Sequence, residues 1–321
     1  MTLISILLAV ITISAALALL TRHVTTKVEQ AIPPCGKFLE VTGVRLHYID
    51  QGGAPLGKPA IVMIHGLGAH LHHFKYALVD ELSTDTRVIA IDRPGSGYSA
   101  RKTGSVTTLT EQADAVVALL DGLRIKRALF VGHSLGGALS LTLALRHPNR
   151  VAGLALIAPL THHAGRFPRV FLALNARGHF ARRFVAMVLA TPGLIIARHR
   201  VLPIVFGPET VPCDYRVRGG GLLTLRPSQY IGASEDLEAI PVVLPSLESQ
   251  YETLNRSDAP PIAVLYGRED AILDYRIHGT RFAERVPLCR LEVITGGHML
   301  PLTQPERVAR FVRDVLARSR G

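Results

Sequence analysis

The residue best suited to chemistry in this sequence is Ser134, which lies in the pentapeptide Gly-His-Ser-Leu-Gly at residues 132–136. An apolar run precedes this pentapeptide and an apolar helical pattern follows it, which predicts a tight turn from a strand into a helix. Glycines suit such a turn because a Cβ would collide there, and the amino end of the following helix favours negative charge. The pattern predicts a nucleophilic serine, and the alternative is a glycine-rich turn with an incidental serine.

Two further residues complete a candidate catalytic set. Asp270 follows the apolar run 262–266, and His298 follows two glycines just beyond the last apolar run of the chain. The order is therefore serine, acid, histidine, each at the end of a predicted strand, where open α/β sheets build their sites. In this arrangement we expect His298 to take the proton from Ser134 and Asp270 to support the resulting imidazolium.

A second glycine-containing turn could stabilise the oxyanion that such chemistry produces. The sequence His-Gly-Leu-Gly at residues 65–68 follows the apolar run 60–64. We expect the backbone N–H groups of Leu67 and Leu135 to form the oxyanion hole. The nearby histidines are crowded but have no acid among them, so no metal is predicted, and loop polarity and pocket lining are their expected roles: His65, His70, His72 and His73.

The elements that must position these residues read as an α/β fold. Six short apolar runs predict buried strands, most of them parallel, at residues 60–64, 87–91, 127–131, 151–157, 262–266 and 291–294. Residues 38–49 alternate around Gly43 and predict an antiparallel hairpin. Helical patterns lie between the strands: one begins at Thr108 with Glu111 in a capping box, and the last is expected to start near Thr303. We expect a mostly parallel sheet with helices on both faces.

Residues 160–247 break this alternation and predict a mostly helical insertion over the carboxyl edge of the sheet. The core is then split into residues 31–159 and 248–321.

The amino terminus predicts a membrane anchor. Residues 3–20 carry no charge, which is about the minimum length for spanning a bilayer. A cleaved signal peptide would have a basic residue before the apolar run, and none is present, so a retained helix with a tether (residues 1–30) is favoured. Arg22, Lys27 and Lys37 follow the run and favour a cytoplasmic catalytic domain.

The composition excludes several classes of function. The net charge of +11 comes mostly from scattered arginines, without the basic stripe or aromatic interleaving of a nucleic-acid-binding protein. Attraction to anionic lipid is the alternative use of this charge. Cys35, Cys213 and Cys289 are widely spaced and predict neither a disulfide framework nor a zinc site.

Together these motifs resemble the α/β-hydrolase superfamily, of the capped esterase, lipase or C–C-hydrolase-like kind. The matching motifs extend from His65 to His298, and residues 92–99 (Asp-Arg-Pro-Gly-Ser-Gly-Tyr-Ser) resemble the structural turn after the fourth strand of those enzymes. The resemblance implies that residues 160–247 form a cap over an acyl pocket. Ser134 disfavours the family members that use an aspartate nucleophile, the epoxide hydrolases and haloalkane dehalogenases.

Three acids lie in one loop, and the resemblance favours one of them. Asp270 is the third residue after Gly267, which matches the usual Gly-x-x-Asp placement of the family. Glu269 is expected to face the other side of the loop. Asp274 lies where a helix should start, and N-capping is its simplest role.

The expected function is hydrolysis of an ester or related acyl bond in a hydrophobic or amphipathic small molecule, through an acyl-enzyme on Ser134, without metal or organic cofactor. A C–C bond hydrolase or a cofactor-free haloperoxidase-like enzyme would use the same three residues. A non-catalytic protein that binds a ligand on this fold is the alternative from a different class.

Overall fold

The computed structural model of the chain is built around one eight-stranded sheet. It describes residues 2–319, except 42, 54–57, 102–107, 164 and 166–167. The strand order is β1-β2-β4-β3-β5-β6-β7-β8, with β2 antiparallel to both neighbours and the other pairs parallel. The strands are β1 Lys37–Val41, β2 Val44–Gln51, β3 Ala60–Ile64, β4 Val88–Ile91, β5 Ala128–His133, β6 Val151–Ile157, β7 Ile262–Gly267 and β8 Cys289–Ile294.

Helices cover both faces of this sheet, which explains why its central strands are continuously apolar. On one face pack α4, α5 and α9, and on the other α3 and α11. The α-helices are α1 Leu3–Ala31, α2 His72–Lys75, α3 Leu78–Leu82, α4 Leu109–Gly122, α5 Leu135–Arg146, α6 His179–Phe184, α7 Thr191–Phe206, α8 Pro227–Glu248, α9 Arg281–Arg285, α10 Leu300–Thr303 and α11 Pro305–Arg318. The α/β fold class predicted from the sequence is confirmed.

Local start signals were predicted with mixed success. The capping box of α4 is present, since Thr108 accepts from the backbone of Glu111 and the Glu111 carboxylate accepts from Thr108 N. The last helix was expected to start near Thr303 and starts two residues later. Thr303 ends the short α10, and α11 begins at Pro305, because a proline at the first helical position is already set to the helical φ.

The chain between β6 and β7 forms no strand in its described residues. Besides α6, α7 and α8 it contains a π-helical segment, Val185–Ala190, and three 3₁₀ turns, Arg169–Leu174, Gly221–Leu225 and Tyr251–Leu254. We call the described residues 160–254 the helical insertion. Within it α6, the π segment and α7 run on as one helix, His179–Phe206, which we call the apolar insertion helix.

Buried charges join the helical insertion to the loop that follows β4. Arg93 Nη1 lies 2.8 Å from Asp236 Oδ2 on α8 and forms a salt bridge with it. The geometry of this pair does not meet the angles of a hydrogen bond. Arg101 binds both Asp236 and Glu235, and the amide of Gln112 donates to Asp236. Because an unpaired buried charge is costly, these pairs fix the position of α8 on the core.

The amino-terminal helix α1 is longer than the predicted anchor and continues through residues 21–31. Its residues up to Ile13 are exposed, whereas a stripe farther along the helix is covered by the protein: residues 14, 17, 18, 21, 24, 25 and 28. By length and composition α1 and the apolar insertion helix could each cross a membrane. For α1, the sequence of residues 3–20 had already predicted a helix that could span a membrane.

Candidate active site

Ser134 occupies a sharp turn between β5 and α5. Its φ of 54° and ψ of −119° are rare for a residue with a side chain, and backbone bonds to Ile157 and Leu160 hold the turn. Gly136 is required here, because a Cβ at that position would lie 2.0 Å from the carbonyl oxygen of Ile64. The sequence therefore places a strained serine at the amino end of a helix.

The turn after β3 lies against this serine. A Cβ on Gly66 would lie 2.9 Å from Cβ of Ser134, so only glycine permits the close approach. Leu67 and Leu135 line the same cavity as Ser134. In the described part of the chain neither of their N–H groups has a protein acceptor. Two backbone donors are therefore available beside the serine.

Asp270 and His298 are brought together at the ends of β7 and β8. His298 Nδ1 lies 2.7 Å from Asp270 Oδ2, and both side chains are buried. The other carboxylate oxygen accepts the backbone N–H groups of Ile272 and Leu273, at 2.8 and 2.9 Å. An imidazole that donates from Nδ1 presents Nε2 as its proton acceptor.

His133, the residue before Ser134, contacts His298. His133 Nε2 lies 2.9 Å from the carbonyl oxygen of His298, and the two rings pack 4.9 Å apart. Between the side chains of Ser134 and His298 themselves, no hydrogen bond forms in the described residues.

Two glutamates hold the loop that carries His298. Glu269 Oε2 accepts from Gly296 N at 2.7 Å, and Glu209 Oε2 accepts from Gly297 N at 2.9 Å. Glu269 thus binds the backbone of the loop that carries His298, whereas Asp270 contacts the imidazole. Glu209 belongs to the helical insertion and had no signal in the sequence, because only the fold brings it to this loop.

The third acid of the loop, Asp274, binds a backbone N–H group. Asp274 Oδ1 accepts from Arg276 N at 2.8 Å, where the helical turn Arg276–Thr280 begins. This is the capping role expected for a short acidic side chain at a helix start.

A cavity of about 240 Å³ opens beside Ser134. Most of its wall is apolar and comes from the helical insertion and the loop after β7. Three histidines interrupt that wall. The lining residues are Leu67, Ser134, Leu135, Leu160, His162, His163, Pro168, Phe171, Ile240, Leu244, Ala271, Ile272, Leu273 and His278.

Two of these histidines have opposite tautomers. Thr161 has one hydroxyl proton and donates it to the carbonyl of His278, so its 2.8 Å contact with His162 Nδ1 requires that nitrogen to donate. His278 Nδ1 instead accepts backbone N–H groups of Thr161 and His162. Burial lowers the pKa of His162, and lowers that of His278 to about 4, so both are neutral. His162 Nε2 is therefore an acceptor and His278 Nε2–H a donor.

The histidines after β3 lie apart from this cavity, and the expectation that they line it is wrong. His65 Nε2 accepts from Arg93 N, while neither ring nitrogen of His70 or His73 has a hydrogen-bond partner among the described residues. Burial lowers the pKa of His72 to about 4 and that of His73 to about 3. The ring of His70 packs against the rings of His72 and His73. Among the residues that the structure describes, no group of three or more histidine, cysteine or acidic side chains could hold a metal ion.

The chain is similar to known hydrolases. Residues 59–191 match the family model of the α/β-hydrolase fold. A 2-hydroxymuconate semialdehyde hydrolase from Pseudomonas sp. strain CF600 is 39% identical over 299 residues, which cover 90% of this chain and 96% of that protein. The enol-lactonase from Burkholderia xenovorans LB400 superimposes with a TM-score of 0.70 at 23% identity, over 88% of this chain and all of that one.

A shorter match involves a larger protein. The acetyltransferase component of the acetoin cleaving system from Pseudomonas putida is 42% identical over 130 residues, 40% of this chain but only 34% of that protein. The 2-hydroxymuconate semialdehyde hydrolase, by contrast, matches over nearly its full length. This chain belongs to the α/β-hydrolase family.

Proposed function

We propose that the chain is a serine hydrolase that cleaves an acyl bond through a covalent intermediate on Ser134. The observation that carries this proposal is the 2.7 Å contact between His298 Nδ1 and Asp270, at the edge of the sheet where Ser134 occupies its strained turn. Chain order and strand ends are those of the nucleophile, acid and base of the family.

In the proposed mechanism His298 Nε2 takes the proton of Ser134 as its oxygen attacks the acyl carbonyl. Asp270 keeps the imidazole in the right tautomer and stabilises the imidazolium. The backbone N–H groups of Leu67 and Leu135 bind the oxyanion, each contributing roughly 3 kcal/mol of transition-state stabilisation. His298 then protonates the leaving group and activates water for deacylation.

The substrate is proposed to be an amphipathic acyl compound. The helical insertion supplies half of the apolar residues that line the cavity and would act as its cap. The histidine pair His162 and His278 offers one acceptor and one donor in that wall, which suits a hydroxyl, amide or enol on the acyl group. We further propose that α1 anchors the enzyme in a membrane.

A C–C bond hydrolase is the second candidate. It is favoured by the identity of 39% to a 2-hydroxymuconate semialdehyde hydrolase over nearly the full length of both chains. Such a reaction would use the same three residues, with His278 Nε2–H donating to a keto or carboxylate oxygen and His162 Nε2 accepting from an enol hydroxyl.

The proposal is tested with p-nitrophenyl esters of graded chain length and with a vinylogous 1,5-diketone acid, each with the wild type and Ser134→Ala. Ester turnover that Ser134→Ala abolishes would support the serine esterase. Turnover of the diketone with negligible ester cleavage would assign the chain to C–C hydrolysis instead. Ester turnover in Ser134→Ala within tenfold of the wild type would exclude the nucleophile.

A further inference from the structure

The apolar insertion helix exposes an unusual amount of apolar surface. Phe180 is 87% exposed and Ile196 is 79% exposed, although they lie in an ordered helix of the fold. Six large apolar side chains of this helix are exposed: Phe180, Phe184, Met187, Leu189, Ile196 and Ile204. Several large apolar side chains exposed on one helix indicate a site of contact with a partner or a membrane.

Ion pairs hold this helix firmly with its apolar side chains outward. Arg182 is buried, donates to Ser234 at 3.0 Å and pairs with Glu235 and Glu238 on α8. Because α8 is fixed to the core through Asp236 and Arg93, the outward face is part of the folded molecule.

The same helix packs beside α1. The covered stripe of α1 begins at Ser14, and α1 contacts Val185–Ala190, Thr191–Phe206 and Gly221–Leu225. The uncharged segment of α1 extends to Leu20, so seven of its residues lie alongside the protein. At 1.5 Å per residue these span about 10 Å. If α1 is inserted in a bilayer, the elements that cover it lie at the depth of its last turns.

Charge on and around this face suits anionic lipid. Arg183, Arg198 and Arg200 are exposed and have no carboxylate within 4.0 Å in the described part of the chain. Arginines that flank an apolar helical face are typical of helices that lie in a membrane interface. Each can add attraction to an anionic headgroup.

We propose that the apolar insertion helix is a second membrane-contacting surface, which lies in the lipid interface beside α1. This inference rests on the anchoring role proposed for α1 and makes the helical insertion, as well as the anchor, a membrane element. The proposed partner of the exposed apolar face is a lipid surface and not a second protein.

The chain contains no tryptophan, so single tryptophans report on single positions. The experiment places full-length Phe180→Trp, Ile196→Trp, Leu8→Trp and Leu288→Trp variants in liposomes with brominated acyl chains and anionic headgroups. Leu8 lies in the exposed half of α1, and Leu288 is 56% exposed just before β8, outside both α1 and the insertion. Labelling by a fluorophosphonate checks that each variant is folded.

We expect blue-shifted emission and at least twofold quenching by brominated lipid for Phe180→Trp, Ile196→Trp and Leu8→Trp, and none for Leu288→Trp. Quenching of Leu8→Trp alone would overturn the proposal while leaving the anchor intact. Quenching of Phe180→Trp and Ile196→Trp without Leu8→Trp would support the lipid face and refute the anchor. A concentration-dependent blue shift without quenching would assign the face to a second copy of the chain and would also overturn the proposal.

Discussion

At the scale of single residues, the loop after β7 separates three acids by what each carboxylate binds. Asp270 contacts the imidazole of His298, Glu269 binds Gly296 N, and Asp274 binds Arg276 N. The sequence favoured Asp270 through its distance from Gly267, and this is the acid that contacts the imidazole. Its catalytic role remains a prediction.

Asp270→Asn should lower kcat by roughly three to four powers of ten, because a neutral amide favours the wrong imidazole tautomer. Asp274→Asn is the matched control and should cost little, since asparagine caps a helix nearly as well as aspartate. Steady-state kcat on one ester is measured for both variants. A large loss at Asp274 with a small one at Asp270 would reverse the assignment.

The histidine pair of the cavity predicts selectivity. His162→Phe and His278→Phe should each lower kcat/KM for a 3-hydroxyacyl ester about fivefold, because one neutral hydrogen bond contributes about 1 kcal/mol. The unsubstituted acyl ester of equal length is the control and should be affected less. Equal losses on both esters would show that the histidines only shape the cavity.

The roles of these two histidines could not be predicted from the sequence. Ser134 and His298 stand in short motifs whose glycines and preceding strands are local in the sequence. His162 and His278 are 116 positions apart and carry no motif. Their tautomers follow from Thr161, whose contacts exist only in the folded chain.

At the scale of elements, the buried strands were predictable because continuous apolar runs of four to eight residues are typical of a sheet covered on both faces. The helical insertion was predictable as a mostly helical segment that interrupts the alternation. Its attachment through Arg93, Arg101 and Asp236 was not, because pairing of distant charges leaves no periodic pattern.

Removing Asp236 should therefore loosen the helical insertion from the core. Asp236→Ala leaves Arg93 and Arg101 without a shared carboxylate, and breaking such buried pairs costs about 3–5 kcal/mol. We expect a clearly lower Tm and lower activity. Glu252→Ala, which breaks the exposed pair with Arg285, is the control and should change Tm little. A Tm of Asp236→Ala equal to that of the control would contradict this attachment.

At the scale of the whole molecule, buried neutral histidines predict acid sensitivity. Burial lowers the pKa of His72, His73 and His278 to between about 3 and about 4, whereas the unfolded chain titrates near 6.5. Between these values the unfolded state binds more protons, so stability falls as the pH is lowered below about 6.5. Each histidine contributes up to about 1.4 kcal/mol per pH unit in that interval.

Thermal unfolding of the full chain in detergent should therefore give a lower Tm at pH 5 than at pH 7.5. His73→Leu should make Tm depend less on pH, because it removes one of the buried titrating groups. The substitution itself breaks no side-chain hydrogen bond, since the ring nitrogens of His73 have no hydrogen-bond partner in the described structure. A Tm that is constant over this interval would contradict the claim that these histidines are neutral in the folded state.

The anchor proposed for α1 predicts where the chain is found. The full-length protein should sediment with membranes and resist extraction by high salt, because apolar burial is not screened. Removing residues 1–13, of which the described residues 2–13 are exposed, should release a folded chain. Removing residues 1–30 should also cost stability, since Val28 packs with Leu223 of the insertion. Release of the intact chain by salt alone would count against the anchor.

The central claim, that Ser134 is the nucleophile, is tested most directly by mapping a fluorophosphonate adduct with mass spectrometry. We expect one modified residue, Ser134, with labelling lost in Ser134→Ala and strongly slowed in His298→Ala. An unlabelled wild type, an adduct on another residue, or undiminished labelling of Ser134→Ala would contradict it.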